Sequence, residues 1–119
     1  MLPSAHRLTR SADFLVTTRR GTKVSRPCFV VHVMPPPGAI GDPSTTRIGF
    51  TVGKGVGGSV IRHAVARRLR WQARSLLTLL PDGCTVVVRA LPKAAVASSA
   101  RLGDELRSAF SSAAVKMAK

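Results

Sequence analysis

From Ser59 to Leu80 neither proline nor glycine interrupts the chain, and Ile61, Val65, Leu69, Leu76 and Leu80 recur at steps of four or seven, with Ala73 filling the flank. That spacing makes one apolar stripe on an α-helix, and a helix with a single apolar stripe must bury it against another layer. The segment is therefore predicted to be the longest helix, stopping at Pro81. The glycines at 53, 55, 57 and 58, around Lys54 and Val56, make a tight connection into it. With about 100° between successive residues, His63, Arg67, Arg70 and Arg74 fall within about 60° of one another on the side away from the stripe.

The flanking segments supply the other layer. Ser11 to Arg20 reads as a short helix, with Ser11 as N-cap and Gly21 as stop. Cys28 to Met34 and Arg47 to Val52 alternate as strands and are expected to pair as a hairpin. Cys84 to Ala90, with its Val86-Val87-Val88 run, reads as a buried third strand closed by Pro92 and reached by a crossover from the long helix. Ser98 or Ser99 caps a last helix carrying Leu102, Leu106, Phe110 and Ala113. Residues 35–46, opening with Pro35-Pro36-Pro37-Gly38, are expected to be a mobile loop, and residues 116–119 a frayed tail. The order α-β-β-α-β-α predicts one α+β domain over residues 1–119, with three helices on a small sheet of three or four strands.

Fourteen arginines and five lysines face only five acids, a formal charge of +14. Such a surface calls for a polyanion. The 45% hydrophobic content exceeds that of a disordered basic tail. Between Asp42 and Asp82 there is no acid, yet Arg47, Lys54, Arg62, Arg67, Arg68, Arg70 and Arg74 lie there. A helix surface that only needs solvation gains from mixed signs at i,i+4 spacing, whereas like charges there cost ~0.2–0.5 kcal/mol each. Phosphate binding explains both the missing acids and the bias toward guanidinium, which grips phosphate bidentately. The glycine segment lacks the Gly-x-x-x-x-Gly-Lys-Ser/Thr order of a mononucleotide loop.

Several classes of chemistry are excluded. The acids Asp13, Asp42, Asp82, Asp104 and Glu105 are dispersed, so a metal-dependent nuclease centre has no ligand set. No Gly-x-Ser-x-Gly elbow is present, and no catalytic residue is assigned. Cys28 and Cys84 head strand-like runs and are read as reduced, buried thiols, and no Cys-x-x-Cys pair offers zinc. Apolar runs are far shorter than a membrane span, and His6, Arg7, Arg10 and Asp13 break up any signal core. A cytoplasmic location without a membrane partner is expected.

Arg47-Ile48-Gly49-Phe50-Thr51-Val52-Gly53-Lys54, followed by Val56-Gly57-Gly58-Ser59-Val60-Ile61-Arg62-His63-Ala64-Val65-Ala66-Arg67-Arg68-Leu69-Arg70, resembles the strand and arginine-rich "RNR" helix of the protein subunits of bacterial ribonuclease P. Asp13-Phe14 with Gly21, and Val87-Val88-Arg89-Ala90, extend the resemblance over most of the chain in the family's order. The chain departs from the pattern where Arg62-His63-Ala64 replaces Arg-Asn-Arg, at Gly58, where asparagine is frequent, and at Ala66, where a basic residue is frequent. The resemblance implies RNA contacts at Lys54, Arg62, Arg67, Arg68 and Arg70. His63 is added beside them, and Arg74 by its place on the cation face.

The resemblance further implies a cleft between the first helix and the sheet that receives the 5′ leader of precursor tRNA. Phe14 corresponds to one of its aromatics, Thr18 and His32 stand where aromatics are common, and Arg10 and Arg19 would add charge. For Phe14 and His32, core packing is the competing reading. The partners implied are a catalytic RNA, which cuts precursor tRNA using Mg2+ that it mainly holds itself, and the precursor; no obligate protein partner is implied. The alternative is a ribosomal or other structural RNA-binding protein without a role in tRNA processing.

Overall fold

The two strands that carry three valines each lie in the interior of the sheet in the computed structural model, which describes residues 7–8, 11–35, 46–81 and 83–117. Helix α1 (Ser11–Arg20) leads into strands β1 (Thr22–Ser25) and β2 (Phe29–Met34). After them come β3 (Arg47–Thr51), α2 (Ser59–Ala73), β4 (Thr85–Ala90) and α3 (Ser99–Met117). The sheet order is β1-β2-β4-β3, with β4 antiparallel to β2 and parallel to β3.

The hairpin expected between β2 and β3 is therefore not formed. Val86, Val87 and Val88 are all buried, so β4 is apolar on both faces and takes an interior position with a neighbour on either side. Helix α2 makes the crossover that places β4 parallel to β3. The partner of β2 in a hairpin is instead β1, an antiparallel strand that sequence periodicity does not reveal because Val24 is its only buried residue. The outer edge of β3 is shielded where the Ile48 carbonyl accepts the Leu8 N–H at 3.0 Å.

One face of the sheet carries Phe29, Val31, Val33, Ile48, Val86 and Val88 into a core with Val65 and Leu69 of α2 and Leu102, Leu106 and Phe110 of α3. Helix α1 packs on β2 and β4. Its end comes so close to β2 that a β-carbon at Gly21 would press into the carbonyl oxygens of Thr17 and Val33.

Helix α2 ends at Ala73 rather than at Pro81, and α3, with 19 residues against 15, is the longer helix. On a continued helix Leu76, Leu77, Leu79 and Leu80 would spread over an arc of about 160°. A 3-10 turn over Leu77–Leu79 instead buries Leu76 and Leu80 and lays Leu77 and Leu79 against the core. Ile61, expected in the apolar stripe, is 45% exposed, because it precedes the part of α2 that meets the sheet and lies beside Gly57.

Helix α3 starts under a cap in which the Ser98 hydroxyl accepts the Arg101 N–H at 3.1 Å. It continues through Lys116 and Met117, and the Lys116 ammonium donates to the Lys23 carbonyl, so these two residues are helical rather than frayed. Arg26 fastens α3 to the β1–β2 turn through the Ser108 and Ser112 hydroxyls. The expected loop at 35–46 lies mostly outside the described residues, as do residues 118 and 119.

Candidate nucleic-acid interface

Val56 is buried and pins the glycine segment to the core, while the Gly53, Lys54 and Gly55 around it stay exposed. Turn hydrogen bonds run from Val56 N–H to the Gly53 carbonyl and from Gly57 N–H to the Lys54 carbonyl. Gly57 has φ of 155°, a conformation that side chains rarely adopt. The segment thus delivers the chain into α2 and leaves Lys54 in solvent. No acid stands in the first turn of α2 to occupy its positive end.

Along α2, burial of Val65, Leu69 and Ala73 sets the rotation, and His63, Arg67, Arg70 and Arg74 are all exposed on the far side, as their spacing requires. Arg62 and Arg68 are half-buried; the Arg62 Nε is enclosed without a hydrogen-bond partner among the described residues. Among those residues the one ion pair is Arg101–Glu105, so none of the described carboxylates neutralises a cation of α2.

The carboxylate of Glu105 is already committed. It accepts the Cys28 N–H at 3.0 Å, the Cys28 thiol at 3.1 Å and the Arg101 Nε–H at 2.9 Å. Burial pushes this carboxyl up, but hydrogen bonds from the Cys28 thiol, Arg101 and the Cys28 backbone, with the Arg101 charge, outweigh it and hold the group below the usual carboxylate range. Burial, followed by the hydrogen bond to Glu105, pushes the Cys28 thiol up to about 11. Cys28 and Cys84 are both buried thiols. Among the described residues no three His, Cys, Asp or Glu side chains gather as a metal-ligand set.

Two depressions meet along α2. One, of about 490 Å³, is lined by His63, Ala66, Arg67, Arg70 and Trp71. The other, of about 270 Å³, is bordered by Arg7, Leu8, Phe14, Gly49 and Phe50 and shares Arg70 with the first. Arg70 therefore joins the cation face to the side of the molecule where α1 meets β3.

The residues expected in a leader cleft divide. Phe14 is half-buried against Gly49 and lines the second depression. Thr18 and Arg19 are exposed on α1, although the Thr18 hydroxyl donates to the Phe14 carbonyl of its own helix at 2.8 Å. His32 is only 4% exposed, set between Lys23 of β1 and Val87 of β4, with neither ring nitrogen hydrogen-bonded among the described residues. Burial, then the Arg89 and Lys23 charges, hold it below the usual histidine range. Arg10 lies outside the described residues.

Sequence reasoning passed over Trp71. It is 53% exposed on the cation face, with the Arg74 guanidinium 3.8 Å from its ring centroid. The signal was present in the spacing: at about 100° per residue Trp71 falls within about 40° of Arg67, well away from the apolar stripe.

A model of the Ribonuclease P family matches residues 2–114. The chain is 44% identical over 110 residues to the ribonuclease P protein component of Mycobacterium sp. (strain KMS), covering 92% of this chain and 91% of that one. It is 47% identical over 114 residues to the ribonuclease P protein component of Streptomyces avermitilis, covering 92% and 93%. In fold it is similar to the RNase P protein of Staphylococcus aureus, with a TM-score of 0.73 at 23% identity over 96% of this chain and 95% of that one. The RNase P protein of Thermotoga maritima gives 0.74 at 22% identity over 88% and 94%.

Proposed function

The chain belongs to the ribonuclease P protein family, and on that premise we propose that it is the protein subunit of a ribonucleoprotein that removes the 5′ leader of precursor tRNA. The RNA subunit makes the cut with magnesium held mainly by RNA. The protein binds that RNA and the leader, acting in the cytoplasm without an obligate protein partner. No helix among the described residues is long and apolar enough to cross a membrane.

The observation that carries this reading is the face of α2, where His63, Arg67, Arg70 and Arg74 stand in solvent with no carboxylate partner among the described residues. Such a face offsets the phosphate repulsion between two RNAs, favouring substrate binding and lowering the magnesium needed. Lys54 extends the same charge, and Arg70 carries it to the depression beside Phe14, where a single strand gains from an aromatic ring.

Addition of the chain to a ribonuclease P RNA at low magnesium tests the proposal. Rescue of 5′ leader removal is the expected result, with no cleavage by the protein alone. Absence of any effect on processing would reject it.

A further inference from the structure

Trp71 is the only tryptophan of the chain and stands half in water. Single exposed apolar residues are ordinary on protein surfaces, but the surroundings of this one are not. The indole walls the depression of about 490 Å³ that holds His63, Ala66, Arg67 and Arg70, and also a second one of about 280 Å³ with Arg67, Arg68 and Ser99. Arg74 lies over its ring. The base of the site is firm: Gln72 donates to the Ser99 hydroxyl at 2.9 Å, and α3 comes so close that a β-carbon at Gly103 would overlap the Gln72 side chain. An aromatic plate thus projects from a firmly seated part of α2, with arginines around it.

A ligand that satisfies both parts needs a flat π-system and an adjoining negative charge. A nucleotide has both, and the larger depression falls within the range of small-ligand sites, about 300–1,000 Å³. In a duplex, both faces of a base are covered by its neighbours, so only an unpaired base can lie on the indole. A rim with several arginines and no acid disfavours a basic peptide, and the Arg67 and Arg70 guanidiniums are available for phosphate.

We infer that Trp71 is the stacking platform for one unpaired nucleobase of the RNA held by α2, with Arg67 and Arg70 taking the flanking phosphates. This deepens the proposed function and rests on it. It adds to a charge-driven grip a preference for irregular RNA, because base stacking on an aromatic ring is worth more than charge contact alone where a base is free.

With one tryptophan and no tyrosine, the emission of the full-length chain reports on this site alone. The test titrates the chain with an RNA hairpin bearing one bulged adenine and with the same hairpin fully paired, each closed by a polyethylene glycol linker in place of a nucleotide loop. The bulged hairpin is expected to quench Trp71 emission strongly and to bind about tenfold more tightly than the paired one. Neither variant keeps the fluorophore, so their affinities are read by filter binding: Trp71→Ala should abolish that preference by weakening the bulged complex to the level of the paired one, and Trp71→Phe should keep most of it. Equal quenching by both hairpins, an undiminished preference in Trp71→Ala, or a preference lost equally in Trp71→Phe overturns the inference while leaving the RNA-binding reading standing. Binding to neither hairpin defeats both. Emission unchanged at saturation with both hairpins leaves the plate free in the RNA complex, as a protein-docking surface would be, and rejects the nucleobase.

Discussion

The ring of Phe14 lies on the backbone of Gly49 so closely that a β-carbon there would overlap its Cζ and Cε1 atoms. A helix on one side of the sheet and a strand within it are thereby fitted to each other at a single point, at the border of the depression that reaches Arg70.

Gly49→Ala is expected to destabilise the fold by about 1–3 kcal/mol, the usual cost of overpacking. Combined with Phe14→Ala, it should cost less than the sum of the two single substitutions, since removing the ring makes room for the methyl group. Urea unfolding of the four proteins in this cycle gives the coupling. Strict additivity would show that the contact does not constrain the site.

For the cation face, the measurable signature is salt. Affinity for ribonuclease P RNA should fall linearly in log–log form with salt concentration, and Arg67→Ala with Arg70→Ala should reduce the slope by about 2, one for each phosphate that is no longer neutralised. Arg26→Ala, whose guanidinium is engaged with Ser108 and Ser112, should leave the slope unchanged and lower stability instead. Filter binding across a salt series separates the two effects.

Glu105 makes stability depend on acid. Its carboxyl titrates below the ordinary range in the fold, so the stabilisation is fully present above about pH 4.3, the unfolded value, and is lost as pH falls through the lower folded value. Glu105→Gln is expected to cost about 1–3 kcal/mol at pH 7 and to flatten the acid limb of the stability curve. Denaturant titrations at pH 7 and pH 3 check both. The buried Cys28 thiol, pushed up to about 11, should resist alkylation at neutral pH until the chain unfolds.

His32 works at a higher pH. Held neutral by burial and by the Arg89 and Lys23 charges, it contributes stability that is complete above about pH 6.5 and declines as pH falls through its lower folded value. His32→Leu removes two enclosed nitrogens that have no hydrogen-bond partner among the described residues, and should raise stability by about 1 kcal/mol while abolishing this slope. Thermal melts at pH 5 and pH 7.5 measure both; a loss of stability at pH 7.5 would contradict the assignment.

The sequence made some of this legible and hid the rest for definite reasons. Helical spacing placed His63, Arg67, Arg70 and Arg74 on one exposed face because rotation about a helix axis is local information. The same arithmetic would have put Trp71 among them. Alternation identified β2 and β3 as strands, and the Val86-Val87-Val88 run identified β4, but alternation carries no information on which strands are neighbours; the interior place of β4 goes with the burial of Val86, Val87 and Val88 on both faces. Residues joined over long separations were beyond reach, as with Arg26 and Ser108 or Cys28 and Glu105. His32 sits in an alternating strand, where periodicity alone leaves open whether its face meets water, and the folded sheet buries it.

Placing β4 between β2 and β3 has a consequence for biosynthesis. A ribosome delivers the β1–β2 pair first, then β3, then the arginine-bearing helix, and only afterwards the strand that bonds to both halves. Until Thr85–Ala90 emerges, the nascent chain holds two fragments of sheet with no ladder between them, and long-range pairing of this kind forms late. Birth order and spatial order are thus opposed: a chain halted before that strand is a cationic rod with no globule to carry it.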